Sequence, residues 1–218
     1  LRADGAITTG SIITSGGNST SPDGENGGNA GTVILDSGRD GSGAESITLN
    51  GDLTAIGGTA SAANQGLGGR IEVRDAVILP ADRLVNSGPT DGDIFFRDGI
   101  DSLNSAERGL TLDAGIGDVT LEGVIGSNEP LAYLDITDSL LTTVEQSVTT
   151  VATNNAGNGI DISADDGVTL GADGNGVVLD TIVGDGGITI NTSTIRAEEP
   201  VTFNRGDGAV DLDASIDS

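Results

Sequence analysis

Leu110–Ser127, LTLDAGIGDVTLEGVIGS, holds two apolar–polar–apolar triads, Leu110-Thr111-Leu112 and Val119-Thr120-Leu121, joined by a loop of Asp and Gly. Successive side chains of a strand point to opposite faces, so each triad sends two aliphatics one way and a Thr the other. A strand this short buries too little to stand alone. It needs strands of the same kind stacked above and below it. The unit returns as Val201–Ser218, VTFNRGDGAVDLDASIDS, where Thr202, Gly206, Gly208, Val210, Leu212, Ile216 and Ser218 repeat Thr111, Gly115, Gly117, Val119, Leu121, Ile125 and Ser127. Matching lead-ins, Asp93–Phe96 and Gly187–Ile190, precede the two copies.

Upstream, residues 5–80 repeat with a longer period. Ile7–Gly17 (ITTGSIITSGG) corresponds to Ile47–Gly58 (ITLNGDLTAIGG), and Gly31–Leu35 (GTVIL) to Gly69–Val73 (GRIEV). Between them lie the polar, Gly-rich excursions Asn18–Ala30 and Thr59–Gly68, which differ in length and sequence as loops on a fixed frame do. Periods of this size belong to solenoids. Pro80 and Ser87-Gly88-Pro89 mark strand ends, because Pro cannot donate a ladder hydrogen bond. In residues 128–156, Leu140, Leu141, Val144, Val148 and Val151 would fit one helical face, whereas Thr142, Thr143, Thr149, Thr150 and Thr153 favour strand. We read short strands there. The middle residue of the triads is Thr at 48, 111, 120, 169, 189 and 202, and Asp at 135, 161 and 211. Stacked coils would therefore carry a dry aliphatic core under a Thr/Asp surface. With coils of about 20–25 residues at about 4.8 Å spacing, the chain would be a rod of about ten coils.

Composition agrees. Gly, at 36 of 218 residues, exceeds twice its usual share of about 7%, while aromatics are only 2%. A thin core of Val, Ile and Leu needs few large rings, and the regular β-branched triads argue against disorder. The net charge of −25 arises from 34 acidic residues against nine basic ones, all Arg. Such a charge repels nucleic acid and anionic lipid, and suits salty or divalent-rich surroundings in which surface carboxylates are screened. With no Cys there is no disulfide framework or thiolate site, and no apolar run is long enough to span a membrane. The chain begins at Leu1 and stops inside a repeat, and so reads as a piece of a longer polypeptide.

Residues 1–90 resemble the repeats of filamentous-haemagglutinin-type large exoproteins. Residues 91–218 resemble the β-strand repeats of giant bacterial surface adhesins, LTLxAGxGDVTxxGxVG…PLxxLxIT, which Leu110–Thr137 matches with Gly115, Gly117, Asp118, Val119, Thr120, Gly123, Gly126, Pro130, Leu131, Leu134 and Ile136. The resemblance implies one continuous all-β, right-handed parallel β-solenoid. It also implies an extracellular, cell-surface role as a stalk or filament in adhesion or matrix building, with no enzymatic activity. The partners it implies are flanking repeats of the same polypeptide, further copies in fibres, and a host-surface, carbohydrate or matrix ligand.

No cofactor is required on this reading, and the metal-binding residues, if any, are unassigned. Calcium is the cation that Asp/Asn/Gly loops would take, with Asp161, Asp165, Asp166 and Asp173, or Asp23, Glu25 and Asn26, as candidates. The same residues are what tight turns select, and Gly27-Gly28-Asn29-Ala30-Gly31 lacks the Asp of the calcium-binding nonapeptide. The adjacent pairs Asp165-Asp166 and Glu198-Glu199 would serve a β-helical polysaccharide-acting enzyme, but neighbours in a strand point to opposite faces. A Thr-rich face could form a flat ice- or carbohydrate-binding array if its ladders were regular. Asn18-Ser19-Thr20 and Asn191-Thr192-Ser193 are glycosylation sequons.

Overall fold

In the computed structural model the described residues are 1–21, 24–38, 45–61, 64–103, 107–152, 159–172, 174–184, 186–206 and 208–217. They are all-β, without a helix, and every strand pairing is parallel. The chain winds as a three-faced solenoid. The first coil is β1 (Ile7–Thr9), β2 (Ile12–Ile13) and β3 (Val33–Leu35); the next is β4 (Ile47–Leu49), β5 (Leu53–Thr54) and β6 (Ile71–Val73). Then come β7 (Val77–Leu79), β8 (Arg83–Asn86) and β9 (Ile94–Phe96), followed by β10 (Ile100–Ser102), β11 (Leu110–Asp113) and β12 (Val119–Leu121). In the following coil the first face is reduced to the bridge residues Ile125 and Leu131, before β13 (Leu134–Asp138) and β14 (Leu141–Val144). β15 (Val148–Ala152), β16 (Ile160–Ala164) and β17 (Gly167–Leu170) come next. In the last two coils, β18 (Val177–Gly184) and β20 (Val201–Arg205) hold the first face. The long strands β19 (Ile188–Ala197) and β21 (Val210–Asp217) run across the second and third faces together.

The core follows directly from the triads. Leu110, Leu112, Val119 and Leu121 are buried while Thr111 and Thr120 face out, and the same alternation holds at Thr48, Asp135, Asp161, Thr169 and Thr189, whereas the residues flanking Thr202 and Asp211 in the last coil are only partly buried or exposed. On the first face the inward column is Ile7, Ile47, Val77, Ile100, Ile125, Val148, Leu179 and Phe203. Each buried aliphatic of this kind contributes about 1.5–3 kcal/mol. The ladders cross residue 90 without a break, through β6–β9, β7–β10 and β8–β11. The rod has fewer coils than the ten expected, because Ile7, Ile47 and Val77 are successive steps of one column and the first coils are long.

Two features depart from a simple reading. The Leu110–Ser127 unit and its Val201–Ser218 copy do not stack on one another. Leu110 begins the second-face strand β11, but Val201 begins the first-face strand β20; likewise Val119 lies on the third face and Val210 on the second. The unit is two strands and a corner, and any corner of the prism accepts it. Within residues 128–152 the chain forms the strands β13 to β15 rather than a helix, with a phase that hydropathy would not choose: Leu141 faces out at 44% exposure and Thr142 faces in, while Thr153 lies outside the described residues. Pairing of β12 with β14 sets Val119 against Thr142 and Leu121 against Val144, and the inward Thr142 hydroxyl is satisfied by Ser139 Oγ at 2.8 Å.

The two Gly-rich excursions are not independent loops. Their outgoing and returning legs pack as a fin of four extended segments. Gly28 N–H donates to Gly17 O, Gly58 N–H to Gly28 O and Gly66 N–H to Gly58 O, each at 2.8 Å. Asn18, Asn26 and Asn29 of the first layer accept from the Thr59, Asn64 and Leu67 N–H groups of the second, at 2.9, 3.2 and 2.9 Å. Legs this close leave no room for side chains: a Cβ on Gly66 would lie 1.9 Å from Gly28 O, whereas one on Gly17 would meet nothing within 4 Å.

Gly66→Ala should therefore lower the melting midpoint by the equivalent of about 1–3 kcal/mol, the usual cost of overpacking. Gly17→Ala should be neutral or slightly stabilising. Thermal melts of the two variants check this, and equal midpoints would contradict the fin.

Candidate functional site

The second and third faces carry contrasting outward chemistry. On the third face, parallel registration turns alternate residues of successive coils into columns. One column reads Ile34, Glu72, Phe95, Thr120, Thr143, Thr169, Arg196 and Asp217. Thr120, Thr143 and Thr169 thus form a short regular Thr ladder despite their irregular spacing in sequence, bounded by Phe95 on one side and Arg196 on the other.

Above that ladder sits an ion-pair clasp. Glu72 is 4% exposed, an unusual position for a carboxylate on an outward position. Three guanidiniums cover it: Arg70 at 3.1 Å, Arg74 at 3.2 Å and Arg97 at 3.2 Å. The network continues from Arg74 to Asp36 at 3.3 Å, from Asp36 to Arg2 at 3.5 Å, and from Arg97 to Glu122. Arg70 and Arg97 also lie over the Phe95 ring, 4.4 and 5.0 Å from its centroid. Burial alone would push the Glu72 carboxyl up. Hydrogen bonds from Arg74 and Arg97, with the charges of Arg70 and Arg74, outweigh it and hold the group below its ordinary value. Four of the nine Arg residues thus gather on one patch of a chain with net charge −25. The carboxylates lie beneath and the guanidiniums outside. The clasp ties four successive coils together and presents a cationic, aromatic surface. Its sequence signal was the alternation Arg70-Ile-Glu72-Val-Arg74 beside Phe95-Phe96-Arg97, which only the coil register brings together.

The second face is acidic. Asp135 pairs in register with Asp161, and Asp113 with Asp138. Burial raises the Asp135 carboxyl, and the Asp161 charge adds to it. Asp138 is raised by burial, then by Asp165 and Asp113; Asp118, at the corner before the third face, by burial, then by Asp93 and Asp91. Parallel stacking places like charges about 4.8 Å apart, a cost that water screens only in part.

Of the calcium candidates, Asp161 lies in that ladder, and Asp165 and Asp166 are exposed in the turn between β16 and β17. Glu25 is exposed, and the Asn26 side-chain oxygen is taken by the Asn64 N–H. Asp23 and Asp173 lie outside the described residues. Among the described residues no three acidic side chains are grouped to hold a metal. Of the acidic pairs, Glu198 binds Arg196 at 3.3 Å and Glu199 packs its Cβ against Gly171. Of the sequon asparagines, Asn18 staples the fin and Asn191 is exposed on β19.

Glu72→Gln should cost about 1–3 kcal/mol, the usual range for leaving buried charged partners uncompensated, discounted for half-exposed guanidiniums. Hydrogen exchange should quicken first in β6 and β9; a loss spread evenly over all coils would contradict a local clasp. The acidic columns predict an inverted pH response. A carboxyl raised in the folded state binds its proton there before it does in the unfolded chain. Its cost is full above the folded value and vanishes below the ordinary value near about pH 4. The melting midpoint should rise as pH falls from 7 towards about 4.5, and Asp135→Asn should raise the pH 7 midpoint and flatten the slope. Glu72 has the opposite sign, and its contribution is lost only at lower pH. A midpoint that falls steadily from neutrality would contradict this. Compared with protein-family profiles, curated proteins and solved structures, the chain matches none of them.

Proposed function

We propose that this chain is a structural and adhesive segment of a secreted or cell-surface fibrous protein, of the filamentous-haemagglutinin-like kind, and that it forms part of a rigid stalk or filament. The observation that carries this reading is the continuous inward column from Ile7 to Phe203 on the first face, flanked by the ladders of the other two faces. Each coil touches only its neighbours, so length is added without new design and bending must strain every ladder at once. The short Thr ladder, the Arg–Phe clasp and the fin supply lateral surfaces for contacts with a host surface, carbohydrate or matrix. The turn carboxylates serve as scaffolding on this reading, and the chain has no catalytic role: Asp165 and Asp166 sit in an exposed turn, and Glu198 is committed to Arg196.

Antibodies raised against the folded chain should label intact source cells, with no gain on permeabilisation. Labelling that appears only after permeabilisation would contradict the reading.

A further inference from the structure

The outward surface of the third face changes sign at one level of the rod. The column that follows the triads reads Asp36, Arg74, Arg97, Glu122, Glu145 and Gly171. Its register is fixed by the ladder: Arg74 N–H donates to Leu35 O, Arg97 to Val73 O, Glu122 to Phe96 O, Glu145 to Leu121 O and Gly171 to Val144 O. The charge flips between Arg97 and Glu122. At the same level the central column passes from Glu72 and Phe95, under their guanidiniums, to Thr120 and Thr143. In the column ahead of the triads, Arg70 lies on the cationic side and Leu141, 44% exposed, on the acidic side. A surface of opposite sign on either side of one line is complementary to itself turned end for end.

We propose that the third face pairs with the same face of a second copy of this chain, the two rods antiparallel about a two-fold axis that runs along the strands between Arg97 and Glu122. Rotation about that axis reverses the order of the coils and leaves each column opposite itself. Arg97 then meets the partner's Glu122 and Arg74 meets the partner's Glu145, each twice by symmetry. Phe95 faces the partner's Thr120, and the stem of Arg70 covers the partner's Leu141, as long cationic side chains cover apolar surface. Arg97 and Arg74 keep 34% and 37% of their side chains exposed, and a guanidinium with five N–H donors can take a second carboxylate. Parallel rods would instead set Arg70 against the partner's Arg74 and Asp118 against the partner's Glu122, and a thin interface has no core to offset such contacts. In the antiparallel pair one like-charged contact remains, Asp93 opposite the partner's Asp118. Both carboxylates are turned along the stack, where Asp93 accepts from Asp118 N–H at 3.1 Å and Asp118 from Leu141 N–H at 3.2 Å. Six facing coils span about 30 Å, and five residues across a face about 16 Å. The pair would bury about 1,000 Å² in all, the low end for a specific interface, which suits a reversible dimer. The pairing rests on the columns and not on the stalk reading, so it stands or falls on the purified chain wherever source cells carry it.

Sedimentation of the full chain at low salt, over a concentration series, should show a monomer–dimer equilibrium that weakens at least tenfold in high salt, where ion pairs at a rim are screened. Arg74→Glu and Glu145→Arg should each be monomeric, because each sets like charges opposite one another at two places. Their equimolar mixture should dimerise again, since the two changes are complementary across the axis. Leu141→Arg, at an exposed position outside the clasp, should also weaken pairing at least tenfold while melting as the parent does, and it decides the matter if Arg74→Glu does not fold. A chain that stays monomeric at low salt and high concentration overturns the proposal. So does a mixture that stays monomeric although both variants melt as the parent does, because the register of the pair is then wrong. Dimers that are lost on Asp135→Arg would show the clasp meeting the acidic second face, and a monomer that binds polygalacturonate would assign the third face to an acidic glycan; either result overturns the antiparallel pair.

Discussion

A strand of three residues cannot pay for its own order, and nearly everything in this molecule follows from that. Fixing each residue's backbone costs about 1–2 kcal/mol, and a triad such as Val119-Thr120-Leu121 buries only two aliphatic side chains. The balance becomes favourable only when each triad lies between two others. It then gains hydrogen bonds on both edges and apolar contact on both sides. Stability is thus a property of neighbouring coils rather than of any strand, as in other repeat architectures. A coil with a neighbour on one side only gains half of this.

The same stacking that builds the core dictates the surface. Parallel registration converts a motif repeated in sequence into a column of like side chains in space. For Thr the result is a benign ladder, as at Thr120, Thr143 and Thr169. For Asp it is a row of stacked carboxylates, as at Asp135 and Asp161, where burial, and then the Asp161 charge, raises the Asp135 carboxyl. The clasp around Glu72 is the opposite solution, in which charges alternate across coils and attract. The chain therefore carries a repulsive face and an attractive one, and salt should help the first while weakening the second.

Much of the fold was legible in the sequence because the triads advertise it. The inward and outward assignment of Leu110, Thr111 and Leu112 follows from strand geometry alone, and the pairing of Ile7 with Ile47 and of Val33 with Ile71 follows from the period of the first region. What was not legible depends on where the chain turns. Corners of the prism are interchangeable, so similarity between Leu110–Ser127 and Val201–Ser218 could not reveal that the second copy starts one face earlier. Hydropathy would turn Leu141 inward; ladder register turned Thr142 inward instead, with Ser139 present to accept it. The excursions looked variable because their side chains differ, yet the fin is built from backbone groups and three Asn side chains, on which composition is silent. The Arg clasp escaped notice because its members are distant in sequence and meet only across coils.

Core, columns and clasp all depend on coil register, which disulfide trapping can read out because the chain has no native Cys. Thr120 and Thr143 are register partners on adjacent coils, so Thr120→Cys with Thr143→Cys places two Cα atoms within the usual reach of a disulfide, about 4.4–6.8 Å. Thr111 and Thr202 are equivalent in the sequence repeat but lie on different faces, and Thr111→Cys with Thr202→Cys serves as the control. The first pair should oxidise rapidly in the native protein and the second not at all. Trapping of the second pair, or failure of the first in a folded sample, would contradict the register.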